Sequence, residues 1–579
     1  MKMMRLNRRD FLRYCSWLGS GLLLPAHARA VAPTRPLHMD WNQAPGSNTI
    51  RFEDITGKSG LHFITDSCPT PNKNQPETMV GGVGLIDYDN DGYLDIFFIN
   101  GAAIPSLKKD SPKYYNRLFH NNRDGTFTDV TEKAGLAGDG YDMGVAVGDF
   151  DNDGWPDIFV ASVTKNRLYR NNHDGTFTDV TDKAGVGMPM YKGEKMWSAA
   201  AGWVDYDNDG KLDLFVSNYC TWHVNEDPVC MGGGRERAYC HPKFYEPLPC
   251  TLYHNNGDGT FTDVSEETGI SKTLCKGMGI GFNDYDGDGY IDIFVANDNM
   301  PNALFHNLKG KAFEEVALDS GVAFAGTGKA VSGMGAEFRD LDNDGLPDVW
   351  HTATELETFP LFRNIGNGMF VDLTGKSGLA RYTLEMSGWS NGAADFDNDG
   401  LKDLLVARGN VLDNIADFSE RTYGEPLSVF RNLGNMKFEN VSAETGSALQ
   451  VPLPYRGCVI GDLFNSGHMD IVVTALNSPA RILRNVTSNA NNWIKFQLVG
   501  TKSNRMAIGA LLKVTTDDGS TQYDVVSTSA GYQASRDQRA HFGLGPFKTV
   551  KLVEIRWPSG MRQVLKDLPA NQIHRIEES

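Results

Sequence analysis

Short apolar runs recur along the whole chain, each bounded by polar, Gly-containing turns. Leu94-Asp95-Ile96-Phe97-Phe98, Leu212-Asp213-Leu214-Phe215-Val216 and Ile291-Asp292-Ile293-Phe294-Val295 are rich in β-branched and aromatic residues and read as buried strands. An acidic loop precedes each run, most clearly Asp149-Phe150-Asp151-Asn152-Asp153-Gly154-Trp155-Pro156-Asp157. A Gly-rich apolar segment such as Met143–Gly148 stands before the loop and predicts a further strand in a crowded place, where small residues let backbones approach. After the run comes an alternating segment with Asp-Gly at its centre, as in Arg117–Val130, Arg167–Val180 and Thr251–Val264, and more loosely from Leu304, Leu361 and Phe430. Asp-Gly between two alternating segments is a strong hairpin signal, because Gly tolerates the positive φ of the turn. No helical period is visible.

The unit starts at Asp87, Asp149, Asp205, Asp284, Asp340, Asp395 and, in decayed form, Asp462, so the spacings are 62, 56, 79, 56, 55 and 67 residues. Three or four strands repeated seven times predict an all-β fold, a seven-bladed β-propeller with the Gly-rich strand innermost around a central channel. The seventh unit ends at Arg481–Asn485 without an F-x-D-V strand, and that strand stands at the other end of the chain as Phe52-Glu53-Asp54-Ile55-Thr56. Residues 50–56 are therefore expected to complete blade seven and close the ring, which removes an open sheet edge. Beyond the ring, residues 491–579 alternate apolar and polar positions, as in Trp493–Val499, and predict a small C-terminal all-β domain. The division expected is a signal segment at 1–30, a linker at 31–49, a propeller at 50–490 with a Cys-rich insertion at 219–252, and the tail at 491–579.

The loops and hairpins resemble the FG-GAP/VCBS repeats of integrin-type propellers. The tail resembles the ASPIC/UnbV domain at Ala507–Ala510, Ser529–Tyr532, His541–Gly545 and Val553–Gly560. Together they resemble the cartilage acidic protein 1 family in its bacterial form, over nearly all of the chain. The resemblance implies a propeller whose loops contact protein or carbohydrate. UnbV-like relatives are associated with biosynthetic gene clusters, which implies an enzyme as the alternative.

The loops name a ligand by their own chemistry. Carboxylates at positions 1, 3, 5 and 9 of a tight Gly turn suit calcium, which takes six to eight oxygens in flexible geometry. Magnesium demands a stricter octahedron, and zinc or iron prefer His or Cys, which the loops lack. The loops stop at position 9 and run into strands, which rejects an EF-hand. Six sets are complete: Asp87, Asp89, Asp91 and Asp95; Asp149, Asp151, Asp153 and Asp157; Asp205, Asp207, Asp209 and Asp213; Asp284, Asp286, Asp288 and Asp292; Asp340, Asp342, Asp344 and Asp348; Asp395, Asp397, Asp399 and Asp403. About six Ca2+ sites are expected. The seventh loop keeps Asp462 and Asp470 but has Phe464 and Ser466 at positions 3 and 5, and is expected to hold metal weakly or not at all. Without a cation each carboxylate would raise its neighbours' pKa.

Asn7-Arg8-Arg9-Asp10-Phe11-Leu12-Arg13, an apolar stretch and Ala28-Arg29-Ala30 resemble a twin-arginine export signal. That implies passage through the twin-arginine translocase to the periplasm or the exterior. The net charge is −18, and residues 1–30 carry +5 of it, so removing them leaves −23. Such a balance argues against nucleic acid or an anionic membrane as partner, and no stretch is long and apolar enough for a membrane span. Four cysteines, Cys220, Cys230, Cys240 and Cys250, stand at ten-residue intervals in the insertion and are expected to form two disulfides, with pairing not readable. Cys458 is expected as a buried thiol in an inner strand, and Cys68 with Cys275 as a pair across the ring face. Gly388-Trp389-Ser390-Asn391-Gly392 matches G-x-S-x-G, but no helix follows, so it is read as an inner strand. Trp197, Ser198, Met278, Met334, Trp389 and Ser390 on the inner strands are read as packing. Arg536, Asp537, Arg539 and His541 are read as a solvated polar edge. No catalytic residue is assigned. The function expected is an exported calcium-binding module for protein or glycan.

Overall fold

The computed structural model describes residues 49–234 and 236–579; the export motif and the Ala28-Arg29-Ala30 site lie outside the described residues. The fold is all-β, a propeller with a C-terminal β domain. Seven antiparallel sheets of four propeller strands succeed one another. The second blade shows the pattern: Asp142–Gly148 innermost, then Asp157–Ser162, Arg167–Asn171 and Phe177–Asp179 outermost. All seven residues of its inner strand are buried. Crowding at the ring axis explains the glycines there. A Cβ on Gly279 would lie 2.2 Å from Met334 O, and one on Gly457 only 2.0 Å from Gly81 O.

Phe52–Asp54 closes the ring as the outer strand of blade seven, with Phe52 opposite Asn485 and Asp54 opposite Leu483. Arg481 Nη2 holds Asp54 at 2.8 Å, and the Phe52 ring meets Phe396 edge-on at 5.3 Å. One-turn helices such as Thr131–Ala134 and Thr181–Ala184 follow several outer strands, each ended by a left-handed glycine. Four residues are too few to leave a helical period in the sequence.

The acidic loop joins the inner strand to the second strand, as Gly148 opposite Asp157 shows. The next connection therefore lies on the opposite face of the ring. The insertion between Asp213–Asn218 and Thr251–Asn255 is on that opposite face. It spans the channel mouth: Arg237 Nε donates to Asn72 O at 2.7 Å, and Asn414 Nδ2 to Arg237 O at 3.1 Å.

The tail sits on the acidic-loop face. Its strands form a three-stranded and a four-stranded sheet. One apolar cluster runs from Phe150 and Trp203 of the ring into Met506, Ile508 and Trp557 of the tail. A hairpin, Ser529–Ala530 with Ala534–Ser535, leaves the tail and enters the channel, where Ser535 pairs with Gly84 and Tyr532 bridges to Gly279. Tyr532 is fully buried; its hydroxyl donates to Met79 O at 2.6 Å and its N–H to Ser390 Oγ at 3.0 Å.

Candidate functional site

Each acidic loop is built by its own carboxylates. In the second loop Asp149 Oδ1 accepts from Asp153 N–H at 3.0 Å and Oδ2 from Gly154 N–H at 2.8 Å. Asp157 at position 9 accepts from Phe150 N–H at 3.1 Å and from Asn171 N–H at 2.8 Å. Asp153 Oδ1 accepts from Trp155 N–H at 3.0 Å. Positions 1, 5 and 9 thus shape the turn. Position 3 is different: Oδ1 of Asp89, Asp151, Asp342 and Asp397 is buried and has no hydrogen-bond partner.

Such an inward, unpartnered oxygen fits a hard cation. Asp149, Asp151 and Asp157 bring ligand atoms within 4.8 Å of one another, as do Asp87, Asp89 and Asp95. Burial, then the Asp153 and Asp151 charges, pushes Asp149 up to about 7, and burial with Asp213, Asp209 and Asp207 pushes Asp205 up to about 8. A divalent ion would relieve that repulsion.

The third strand of each blade sends one more side chain to its loop. In blades two and five it is an arginine: Arg170 Nη2 lies 2.8 Å from Asp153 Oδ2, and Arg363 Nε 2.6 Å from Asp342 Oδ2. In blades one, three and four it is a histidine, with Nδ1 of His120, His254 and His306 each 3.2 Å from the position-9 oxygen. The absence of His from the loop segments was the ground for setting zinc and iron aside, and the structure corrects it. The histidine comes from a strand about 25 to 40 residues downstream of its loop's Asp, or closer still in blade four.

At the seventh loop Lys495 Nζ of the tail lies 2.9 Å from Asp462 Oδ2, with both side chains fully buried. Burial raises the Asp462 pKa, but the Lys495 ammonium and the loop's N–H groups outweigh it and bring it to about 2. The tail touches other loops as well. Met506 S accepts from Asp149 N–H, Arg556 reaches Asp284, and Gly545 N–H donates to Asn398 O at 2.8 Å. The tail therefore packs on the acidic-loop face, while loop residues such as Asp153, Asp286 and Asp288 stay exposed.

The uncovered end of the channel carries a cavity of about 280 Å3. Tyr239, His241 and Pro242 of the insertion form one wall, and Met278, Met334 and Trp389 of the inner strands form the base. Polar groups converge there. Tyr219 Oη donates to Asp298 Oδ2 at 2.7 Å, Glu355 accepts from Asn410 Nδ2 at 3.1 Å, and Gln75 Oε1 is buried without a partner. Burial pushes Asp298 up to about 6, against the Tyr219 hydrogen bond and the Lys276 charge.

Residues 87–160, 149–216 and 284–351 match the FG-GAP-like repeat, and residues 500–579 match the ASPIC and UnbV family. Over 537 residues the chain is 24% identical to cartilage acidic protein 1 of Mus musculus, covering 89% of this chain and 76% of that protein. The Homo sapiens protein of the same name is 23% identical over 537 residues, covering 89% and 74%. The chain is cartilage acidic protein 1-like. Among solved structures, an Agrocybe aegerita lectin described as recognising non-reducing terminal N-acetylglucosamine is 16% identical, with a TM-score of 0.39 over 70% of this chain and 89% of that one. The V. cholerae biofilm matrix protein Bap1 is 11% identical, with a TM-score of 0.30 over 90% and 71%. Neither bears on what this cartilage acidic protein 1-like chain binds.

Repeated asparagines that the sequence did not single out join the blades. Asn171 Nδ2 donates to Tyr88 O of the preceding loop at 2.8 Å, Asn255 to Phe150 O at 2.8 Å, and Asn121 to Leu463 O at 2.9 Å across the ring closure. A second belt links loop to loop: Asn90 to Gly154 O, Asn152 to Gly210 O, Asn208 to Gly289 O, Asn343 to Gly400 O, Asn398 to Gly467 O and Asn465 to Gly92 O. The signal was an Asn at position 4 of six loops, with Gly287 in the fourth.

Several other readings change. Only one disulfide forms among the described residues, Cys230–Cys240, because the insertion's hairpin sets Cys230 opposite Ala238. Cys220 and Cys250 are buried free thiols, and Cys250 faces the next blade's core beside Cys275. Cys68 does not pair with Cys275; its sulfur accepts from Ile104 N–H at 3.3 Å. Asp537 and Arg539 form a buried ion pair at 2.8 Å under the tail, not a solvated edge. Cys458 is a buried free thiol in Tyr455–Gly461. Ser390 lies in the strand Gly388–Ala394 and is engaged by Tyr532. Among the described residues no helix is long and apolar enough to cross a membrane.

Proposed function

We propose that this chain is an exported, calcium-stabilised propeller that binds a protein or carbohydrate ligand at the uncovered channel mouth. The observation that carries the reading is the pairing of faces. The acidic loops share their face of the ring with the tail, while the insertion walls a cavity of about 280 Å3 on the other side, lined by aromatic and hydrogen-bonding groups. Calcium, held by the six sets of four aspartates, stabilises blades and performs no chemistry in this reading. Export by the twin-arginine route to the periplasm or exterior fits the N-terminal motif and the disulfide. The alternative is an enzyme using the same mouth, favoured by Asp298, whose raised pKa in a cleft is a mark of functional sites.

The test is a glycan and extracellular-protein array probed with the mature chain in calcium, repeated with Tyr239→Ala and with Leu412→Arg, a change at another residue lining the mouth cavity. Ligands of the mouth lose binding in both variants. A ligand held equally well by both would overturn the assignment of the mouth.

A further inference from the structure

The tail does not seat flush everywhere. Between it and the acidic loops of blades one and two lies a cavity of about 580 Å3. Arg536 lines its inner part with a side chain only 11% exposed, and the nearest carboxylate, Glu337, is 3.9 Å away. Its guanidinium makes no hydrogen bond to the described residues. Burial and the neighbouring Arg339 charge hold it below its ordinary range, at about 10, even with Glu337 and Asp524 nearby. Arg505 lines the same cavity, has no carboxylate partner among the described residues, and spends one contact on Gly500 O at 3.3 Å.

The acids in the wall are committed elsewhere. Both oxygens of Asp87 accept loop N–H groups, from Asp91 and Gly92, and Asp537 is held by Arg539. Asp91 is held by Arg123 at 2.6 Å. Gln497 and Thr528 line the cavity, and among the described residues their side chains have no hydrogen-bond partner. What is left is a deep guanidinium that faces Glu337 across 3.9 Å without a hydrogen bond, a second one nearer the rim, and neutral hydrogen-bonding groups.

We propose that this cavity binds a small hydroxylated monocarboxylate, of which a uronic acid residue is the type. A guanidinium takes a carboxylate through two parallel N–H bonds, and such charge-assisted pairs are the strong ones. Gln497 and Thr528 suit the hydroxyls. A single negative charge is favoured over a dianion, because the committed carboxylates of the first two loops stand close by. The volume is in the range of small-molecule pockets, about 300–1,000 Å3. The site is separate from the channel mouth and does not rest on it.

The experiment is calorimetric titration of the mature full-length chain at fixed free calcium with sodium D-glucuronate, D-glucose and inorganic phosphate. Glucuronate binds saturably, glucose does not, and phosphate binds more weakly. Arg536→Gln weakens glucuronate about tenfold or more, the weight of a lost charge-assisted contact. Arg505→Gln, nearer the rim, is the second variant should the first not fold, and it weakens glucuronate as well. Tyr239→Ala at the mouth leaves it unchanged. Absence of glucuronate binding, equal binding of glucose or phosphate, or full affinity in Arg505→Gln and in a folded Arg536→Gln overturns the proposal.

Discussion

The second and seventh acidic loops share one hydrogen-bonding frame and differ at two ligand positions. In the second, Asp149 accepts from the N–H groups of Asp153 and Gly154; in the seventh, Asp462 accepts from Ser466 and Gly467, both at 2.8 Å. Asp157 and Asp470 each accept from the residue at position 2 and from an asparagine of the third strand. Yet positions 3 and 5 are Asp151 and Asp153 in one loop and Phe464 and Ser466 in the other. Where they are lost, a lysine from the tail faces Asp462. The comparison separates two duties that the motif runs together. Positions 1 and 9 make the turn whatever fills it, whereas Asp151 at position 3 gives one oxygen to Arg170 and keeps the other buried without a hydrogen-bond partner among the described residues, where a cation would fit.

Calcium removal tests this division with the largest effect. Each occupied site adds about 2.7–4.1 kcal/mol when free calcium stands a hundred to a thousand times above Kd. Chelator should therefore lower the melting temperature of the mature chain steeply, and calcium should restore it. An unchanged melting curve would show that the six loops stand without metal.

Lys495→Met comes next. It leaves Asp462 buried with its two loop N–H bonds but no counter-ion, which costs about 3–5 kcal/mol. Because the ammonium belongs to the chain, the loss should be equal in calcium and in chelator. A loss that appears in only one of the two would mean that the seventh loop is not served by Lys495.

Two single substitutions sharpen the same contrast on a smaller scale. Asp157→Asn removes an acceptor from a buried N–H, about 1–3 kcal/mol already in chelator, and a ligand of the proposed site besides in calcium. Asp151→Asn should destabilise in calcium and be near neutral in chelator, since its Arg170 contact is partly exposed and weak. If Asp151→Asn destabilises in chelator as much as Asp157→Asn does, position 3 has no duty apart from the turn.

The blades, their order and the closing strand were legible because each is a local pattern repeated at a period. The acidic loops were legible because each is complete within nine residues. The asparagines were equally periodic, but the partner of Asn255 is Phe150, 105 residues upstream, so their role needed the ring. Lys495 and Tyr532 were opaque for the same reason, since each acts on a blade from the tail. His120 was missed because it reaches Asp95 from another strand. Arg536, Asp537, Arg539 and His541 read as a solvated edge in the sequence because charge there does not show when a domain face is covered. The cysteines misled by even spacing, whereas pairing followed the hairpin of the insertion.

The smallest effect concerns the belt between loops. Position 4 has positive φ in every loop, from 51° at Asn465 to 80° at Gly287. Asn tolerates that region better than other side-chain-bearing residues, and its amide also reaches the next loop. Gly287 meets the backbone requirement but cannot donate, so the belt lacks its link between the fourth and fifth loops. A Cβ at Gly287 would meet nothing within 4 Å. Gly287→Asn should therefore add one hydrogen bond, about 0.5–1.5 kcal/mol, offset in part by a mild backbone cost. Gly287→Ala suffers the backbone cost alone and should destabilise. The difference in denaturation midpoint between the two variants isolates the belt. If Gly287→Asn is no more stable than Gly287→Ala, the asparagines serve only the turn, and the blades are joined by the third-strand amides alone.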